Sequence, residues 1–205
     1  MRISNCINRP VNISFQKSLV AKCKIKKGDA QEECYIHKLD KKTDSEYFDK
    51  YLYDTDCEKS FFIEELSYRG FYTMFDIRGK NTSVYVMEDS NNKFIGVCSV
   101  NDSFDDSIHL LEIETKPAFA YSNKNRETKY VGETLITFLN ELVKRQGKEW
   151  LVIPSGYSKA ADFYFQNCGF EELNERKSAK IGGEASEKLS EQNQRHTGSK
   201  IIFVG

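Results

Sequence analysis

Across residues 19–39 polar and apolar positions alternate on both sides of a short turn. Lys22, Lys24 and Lys26 share one face of the first segment, and Cys23 and Ile25 share the other, which predicts a strand. Lys27-Gly28-Asp29-Ala30 supplies the turn, and residues 33–39 read as the returning strand. The lysine face is expected to be the solvated side of an edge strand, where charge discourages pairing with another chain. The period then lengthens. Tyr47, Phe48, Tyr51 and Leu52 fall at helical spacing, and Phe61, Phe62 and Leu66 make a second stripe that ends near Gly70.

Residues 83–88 and 93–100 are β-rich runs joined by the turn-forming cluster Asp89-Ser90-Asn91-Asn92, and 108–115 predicts a further strand. From 132 to 146, Leu135, Ile136, Phe138, Leu139, Leu142 and Val143 recur with the period of an amphipathic helix. Lys144 and Arg145 occupy its last turn and Gly147 follows, as expected at a helix C-terminus. Residues 150–153 are an apolar strand that stops at Pro154, and a helix is expected from Ser158, as N-cap, to Asn167. Two closing strands are read at 170–173 and 201–204. Residues 182–199, with Ala185 and Leu189 as their clear apolar positions, are read as a long mobile loop. The order strand, helix, strand, helix, strand predicts an α/β fold with a parallel crossover between residues 108 and 153. One domain over 31–205, preceded by an N-terminal hairpin extension over 1–30, is the expected organisation.

Composition narrows the class. With 39% apolar and 13% aromatic residues, 3 Pro and 12 Gly, the 205-residue chain can bury a core and is neither disordered throughout nor fibrous. The charge is 30 − 31 = −1, which lacks the basic footprint of a nucleic-acid binder. A nucleic-acid partner held by Lys22, Lys24 and Lys26 would instead show strongly salt-dependent binding. No run approaches the ~18 apolar residues of a membrane span, and the start MRISNCINRP does not resemble a signal peptide. The six cysteines are irregularly spaced and form no CxxC, so reduced thiols in a cytoplasm and no metal site are expected.

The candidate chemistry begins at the turn before the long helix. Residues 123–133 lead to a helix N-terminus, where free N–H groups and the helix dipole favour an anion, and residues 124–129 hold three cations against one Glu. Glu112 and Glu114 alternate onto one face of their strand and His109 onto the opposite one, either of which is a candidate for acid–base work.

The order and spacing of these elements resemble the GNAT superfamily of acetyl-coenzyme A-dependent N-acyltransferases from about residue 83 to 170. VYVMEDSNNKFIGVCSV resembles that family's second and third strands, EIETKP the end of its fourth, KYVGETLITFL its pyrophosphate loop and helix, and SKAADFYFQNCGF its Asn-x-x-Ala-x-x-x-Tyr-x-x-x-Gly-Phe ending. The family's loop runs Gln/Arg-x-x-Gly-x-Gly/Ala. Here Glu127 holds the first position, Tyr130 the middle glycine, and Gly132 the last, with Arg126 one residue early. In the last motif Ser158 stands for the usual Asn, Ala161, Gly169 and Phe170 match, and Phe165 takes the tyrosine position beside Tyr164.

The resemblance implies a GNAT-like mixed central sheet flanked by helices, with acetyl-CoA as cosubstrate and an amine of a small molecule or protein as acceptor. It places the pyrophosphate at Arg126, Lys129, Tyr130, Val131, Gly132, Glu133 and Thr134, with Ser158 nearby. The pantetheine arm would lie along the strand edge at Ile113 and Thr115, freed where Pro154 stops the neighbouring strand. Glu114 or His109 is then the base. Tyr164 is the acid if an extra residue before Gly169 is absorbed as a bulge. The other reading is a protein of this fold that has lost turnover and serves as a binding or regulatory module.

Overall fold

The computed structural model describes residues 18–39, 81–115, 126–154, 161–174 and 178–205. The helical stripes expected at 44–52 and 61–69, and Ser158, lie outside the described residues.

At the centre are β3 (Thr82–Asp89) and β4 (Phe94–Asn101), an antiparallel hairpin. Asp89 closes its turn. One carboxylate oxygen accepts the N–H groups of Asn91 at 2.9 Å and Lys93 at 2.8 Å, and Asn92 takes φ 58, a conformation its side chain tolerates. β1 (Ser18–Lys27) and β2 (Ala30–Lys38) form the expected lysine-bearing hairpin, and β2 pairs with β3. On the other side β5 (Ser107–Thr115) pairs antiparallel with β4 and parallel with β7 (Trp150–Ile153), which gives the predicted crossover. β9 (Ser178–Gly182), which periodicity did not single out, pairs with β7 and carries β8 (Glu171–Asn174) as the last strand. The mixed sheet therefore runs β10-β1-β2-β3-β4-β5-β7-β9-β8.

Two expectations need correction here. β1 is not an edge strand: β2 lies on one side, and β10 (Ile202–Phe203) with the two-residue β6 (Thr128–Lys129) lies on the other. Its lysines are therefore solvated on a face and not along an open edge. The second concerns residues 182–199. They are not a loop but α2 (Gly183–Thr197), packed along α1 (Val131–Arg145).

The reason lies in what the two helices share. α1 supplies the expected apolar stripe, with Leu135, Ile136, Phe138 and Leu139 all fully buried, and Phe138 meets Tyr85 edge to face at 5.1 Å. Burying each such side chain is worth about 1.5–3 kcal/mol. Yet Glu133, Thr134, Thr137 and Asn140 on its other flank are also buried. α2 covers that flank through polar contacts: Lys144 to Glu187 at 2.8 Å, Ser190 to Glu141 at 2.5 Å, Asn193 to Thr134 at 3.0 Å and His196 to Glu133 at 2.9 Å. Hydrogen bonds leave no apolar period, so the hydrophobic pattern of α2 is thin. Leu189 is its one buried large apolar side chain.

The segment before Gly169 is helical from 161 and becomes a π-helical turn over Phe163–Asn167, with Cys168 N–H donating to the Phe163 carbonyl at 3.1 Å. Gly169, at φ 74, ends it.

Candidate functional site

Two features shape the site, a parting of two strands and the start of α1. β5 and β7 are paired only through Ser107–Trp150, Ile108–Leu151 and His109–Val152. Beyond that point β7 ends within one residue, whereas β5 continues to Thr115 along β4. Within the described residues, 110–115 have a strand partner on the β4 side alone. The divergence coincides with a β-bulge. Val100 faces Leu110 and Ser99 faces Glu112, so Leu111 is an extra residue. A bulge sharpens local twist and turns the strand away from its neighbour.

The bulge also corrects the expected faces. With Leu111 inserted, the register puts His109, Glu112 and Glu114 opposite Asn101, Ser99 and Val97, all on one face. Leu110, Ile113 and Thr115 share the other face with Cys98 and Tyr85, towards Phe138 of α1. The histidine and the two glutamates thus share a face of the strand rather than lying on opposite ones. His109 is half-buried, stacked on Phe104 at 3.9 Å and 3.2 Å from the Ser107 hydroxyl. Burial lowers its pKa below the usual range, against an opposing pull from Asp106.

At the second feature, the first helical bond of α1 runs from Thr134 N–H to the Tyr130 carbonyl at 2.8 Å. The amides of Val131, Gly132 and Glu133 precede it and have no acceptor within the helix. Tyr130 is left-handed, at φ 69 and ψ 12. The residue that stands for the family's middle glycine thus takes a conformation that favours glycine.

The loop before α1 is tied to the N-terminal hairpin: Lys26 faces Lys129, Lys27 faces Thr128, and Gly28 N–H donates to the Glu127 carbonyl at 2.9 Å. Directly opposed like charges destabilise a strand pair, so Lys26 and Lys129 together favour an anion nearby. Lys26 was assigned to a solvated face; only the pairing with β6 reveals its place here. The sequence held no local signal for that contact.

Gly132 serves packing: a Cβ there would come within 3.2 Å of the Phe163 ring. The Glu133 side chain is turned into the protein, where it accepts from Gln192 at 3.1 Å and His196 at 2.9 Å. Its backbone amide alone is available to an anion. Tyr164 is buried between Phe163 and Phe170, at ring distances of 5.3 and 5.6 Å, and burial raises its hydroxyl pKa. The π-helical turn is an extra residue absorbed as a bulge, and Tyr164 lies within it.

The four described cysteines, Cys23, Cys34, Cys98 and Cys168, are buried free thiols. Burial pushes Cys23 up to about 12, and burial followed by the Glu133 charge raises Cys168 well above its usual value. These thiols are protonated at neutral pH and are poor nucleophiles. Among the described residues no group of three or more His, Cys, Asp or Glu is placed to hold a metal ion, and no helix is long and apolar enough to cross a membrane.

No protein-family model and no curated protein matches the sequence. Solved structures do match the fold. A GNAT family acetyltransferase from Staphylococcus aureus Mu50 is similar with a TM-score of 0.51 and 11% identity, over 73% of this chain and 98% of that one. A GNAT family acetyltransferase from Elizabethkingia anophelis, solved with acetyl-CoA bound, gives a TM-score of 0.46 and 15% identity over 69% and 78% of the two chains. The KacTA–DNA complex gives 0.45 and 16% over 60% and 86%. The exclusion of a nucleic-acid partner expected from the near-neutral charge is not supported.

Proposed function

Because this chain has the fold of the GNAT acetyltransferases, we propose that it is an acyl-coenzyme A-dependent N-acyltransferase. Acetyl-CoA is the proposed donor and an amine of a small molecule or protein the acceptor. The observation that carries this reading is the parting of β5 from β7 beyond His109 and Val152. An exposed strand edge suits the extended amides of pantetheine. The residues at the start of α1 suit the phosphates: the amides of Val131, Gly132 and Glu133, the left-handed Tyr130, and the cations Arg126, Lys129 and Lys26. Ser158 remains a candidate, whereas Thr134 is buried against α2, its hydroxyl accepting from Asn193 and its N–H donated to the Tyr130 carbonyl.

In the reaction the acceptor nitrogen attacks the thioester carbonyl, the new C–N bond replaces the C–S bond, the amine gives up a proton and the departing thiolate gains one. Base and acid are each worth about 10²–10⁴-fold. Glu114 is the proposed base. It stands on the stretch of β5 that β7 no longer pairs, whereas His109 is at the closed end, still opposite Val152 and covered by Phe104. The two are separated by about 15 Å of strand. Tyr164 is the proposed acid, as a phenol that carries its proton at neutral pH.

A second reading, a binding or regulatory module without turnover, is favoured by the altered loop, where Glu127 and Tyr130 replace the family's polar residue and glycine. Incubation with acetyl-CoA and a panel of amines separates the two. Free thiol released only when an amine is present supports the transferase; acetyl-CoA binding with no release for any amine supports the module.

A further inference from the structure

α2 lies beyond the stretch that resembles the family, yet its last turn reaches the loop that opens α1. Among the described residues two non-glycine residues have positive φ, Asn92 and Tyr130. Asparagine tolerates that region; for a bulky aromatic residue it is strained and persists only where the surroundings hold it. The surroundings of Tyr130 do so from three sides. β6 is laddered onto β1 immediately before it. The Tyr130 carbonyl accepts the first bond of α1. On the third side its ring lies on the His196 imidazole, with centroids 4.2 Å apart and planes within 15°.

His196 is itself fixed. Its Nδ1 donates to Glu133 at 2.9 Å. Glu133, 4% exposed, also accepts from Gln192 at 3.1 Å and from Asn193 at 3.4 Å, so the carboxylate cannot swing away with the histidine. The chain of contacts runs from the buried carboxylate through the imidazole to the phenol ring, and ends on the one backbone angle that aims the amides of 131–133.

We propose that His196 is a positioning residue for acyl-CoA: by stacking on Tyr130 it holds residue 130 left-handed and so keeps the start of α1 in its phosphate-binding shape. The inference rests on the acyl-CoA reading above. It assigns to α2 a role in cofactor affinity that the family-like elements do not contain.

The test uses glycine, which adopts positive φ without help. Coenzyme A affinity is measured by calorimetry for the full chain and for His196→Ala, Tyr130→Gly and the double variant. His196→Ala should weaken binding by about 10-fold with Tyr130 present and by less than about 2-fold in the Tyr130→Gly background. Equal losses in both backgrounds, or none, overturn the proposal, because a merely structural role would add independently of residue 130. Should His196→Ala not fold, His196→Phe keeps a ring on Tyr130 and should bind within about 2-fold of the parent; a 10-fold loss overturns the stack as the cause. If the unmodified protein has no coenzyme A affinity, the acyl-CoA reading fails on its own. Amide exchange at Thr134, whose N–H donates to the Tyr130 carbonyl, then decides the positioning claim: His196→Ala should speed it about 10-fold in the parent and leave it unchanged in the Tyr130→Gly background. Unchanged exchange in the parent overturns the claim.

Discussion

Leu111 is one residue too many for the β4–β5 ladder, and that surplus decides which residues share a face. A strict alternation sets His109 against Glu112 and Glu114; the bulge puts all three on one face. A second surplus, the π-helical turn at Phe163–Asn167, holds Tyr164 between Phe163 and Phe170. Both are single insertions that leave composition and period almost unchanged. The catalytic proposal is testable at this scale. Tyr164→Phe should lower amine-dependent thiol release by about 100-fold with coenzyme A affinity unchanged. Unchanged turnover would leave Tyr164 as a packing residue between Phe163 and Phe170. Candidate residues could thus be picked out in the sequence, but their relative faces could not. A one-residue insertion is visible only in the pairing of a strand with its neighbour.

Elements with their own apolar period were legible. The β3–β4 hairpin, α1 and β7 lie where alternation, helical spacing and an apolar run place them. α2 was misread because it meets α1 through Glu133, Glu141, Thr134 and Lys144 instead of through a greasy stripe. β9 was missed for a related reason: Ala179 and Ile181 alternate over five residues only, with Lys180 between them lying over the Trp150 ring at 3.5 Å. The junction of β9 and α2 rests on Gly182, opposite Trp150. A Cβ there would come within 2.5 Å of the Glu149 carbonyl oxygen and 2.6 Å of the Trp150 ring. Gly182→Ala should therefore cost about 1–3 kcal/mol in urea unfolding, as overpacking does. Wild-type stability would show that the strand and helix join differently.

At the scale of the whole molecule, the two ends of the described chain close on each other. β10 pairs with β1, Phe203 stacks on Phe138 at 5.6 Å, and Arg145 lies over the Phe203 ring at 5.0 Å. The N-terminal hairpin holds the loop before α1 from one side and α2 holds it from the other. The segments outside the family-like region are therefore the supports of the proposed phosphate site. The most direct test is a calorimetric titration of coenzyme A into the unmodified full chain. The account predicts saturable one-to-one binding, with a dissociation constant within the range of about 1 μM to 1 mM common for enzyme substrates. No saturable heat at concentrations about ten times above that range would contradict it.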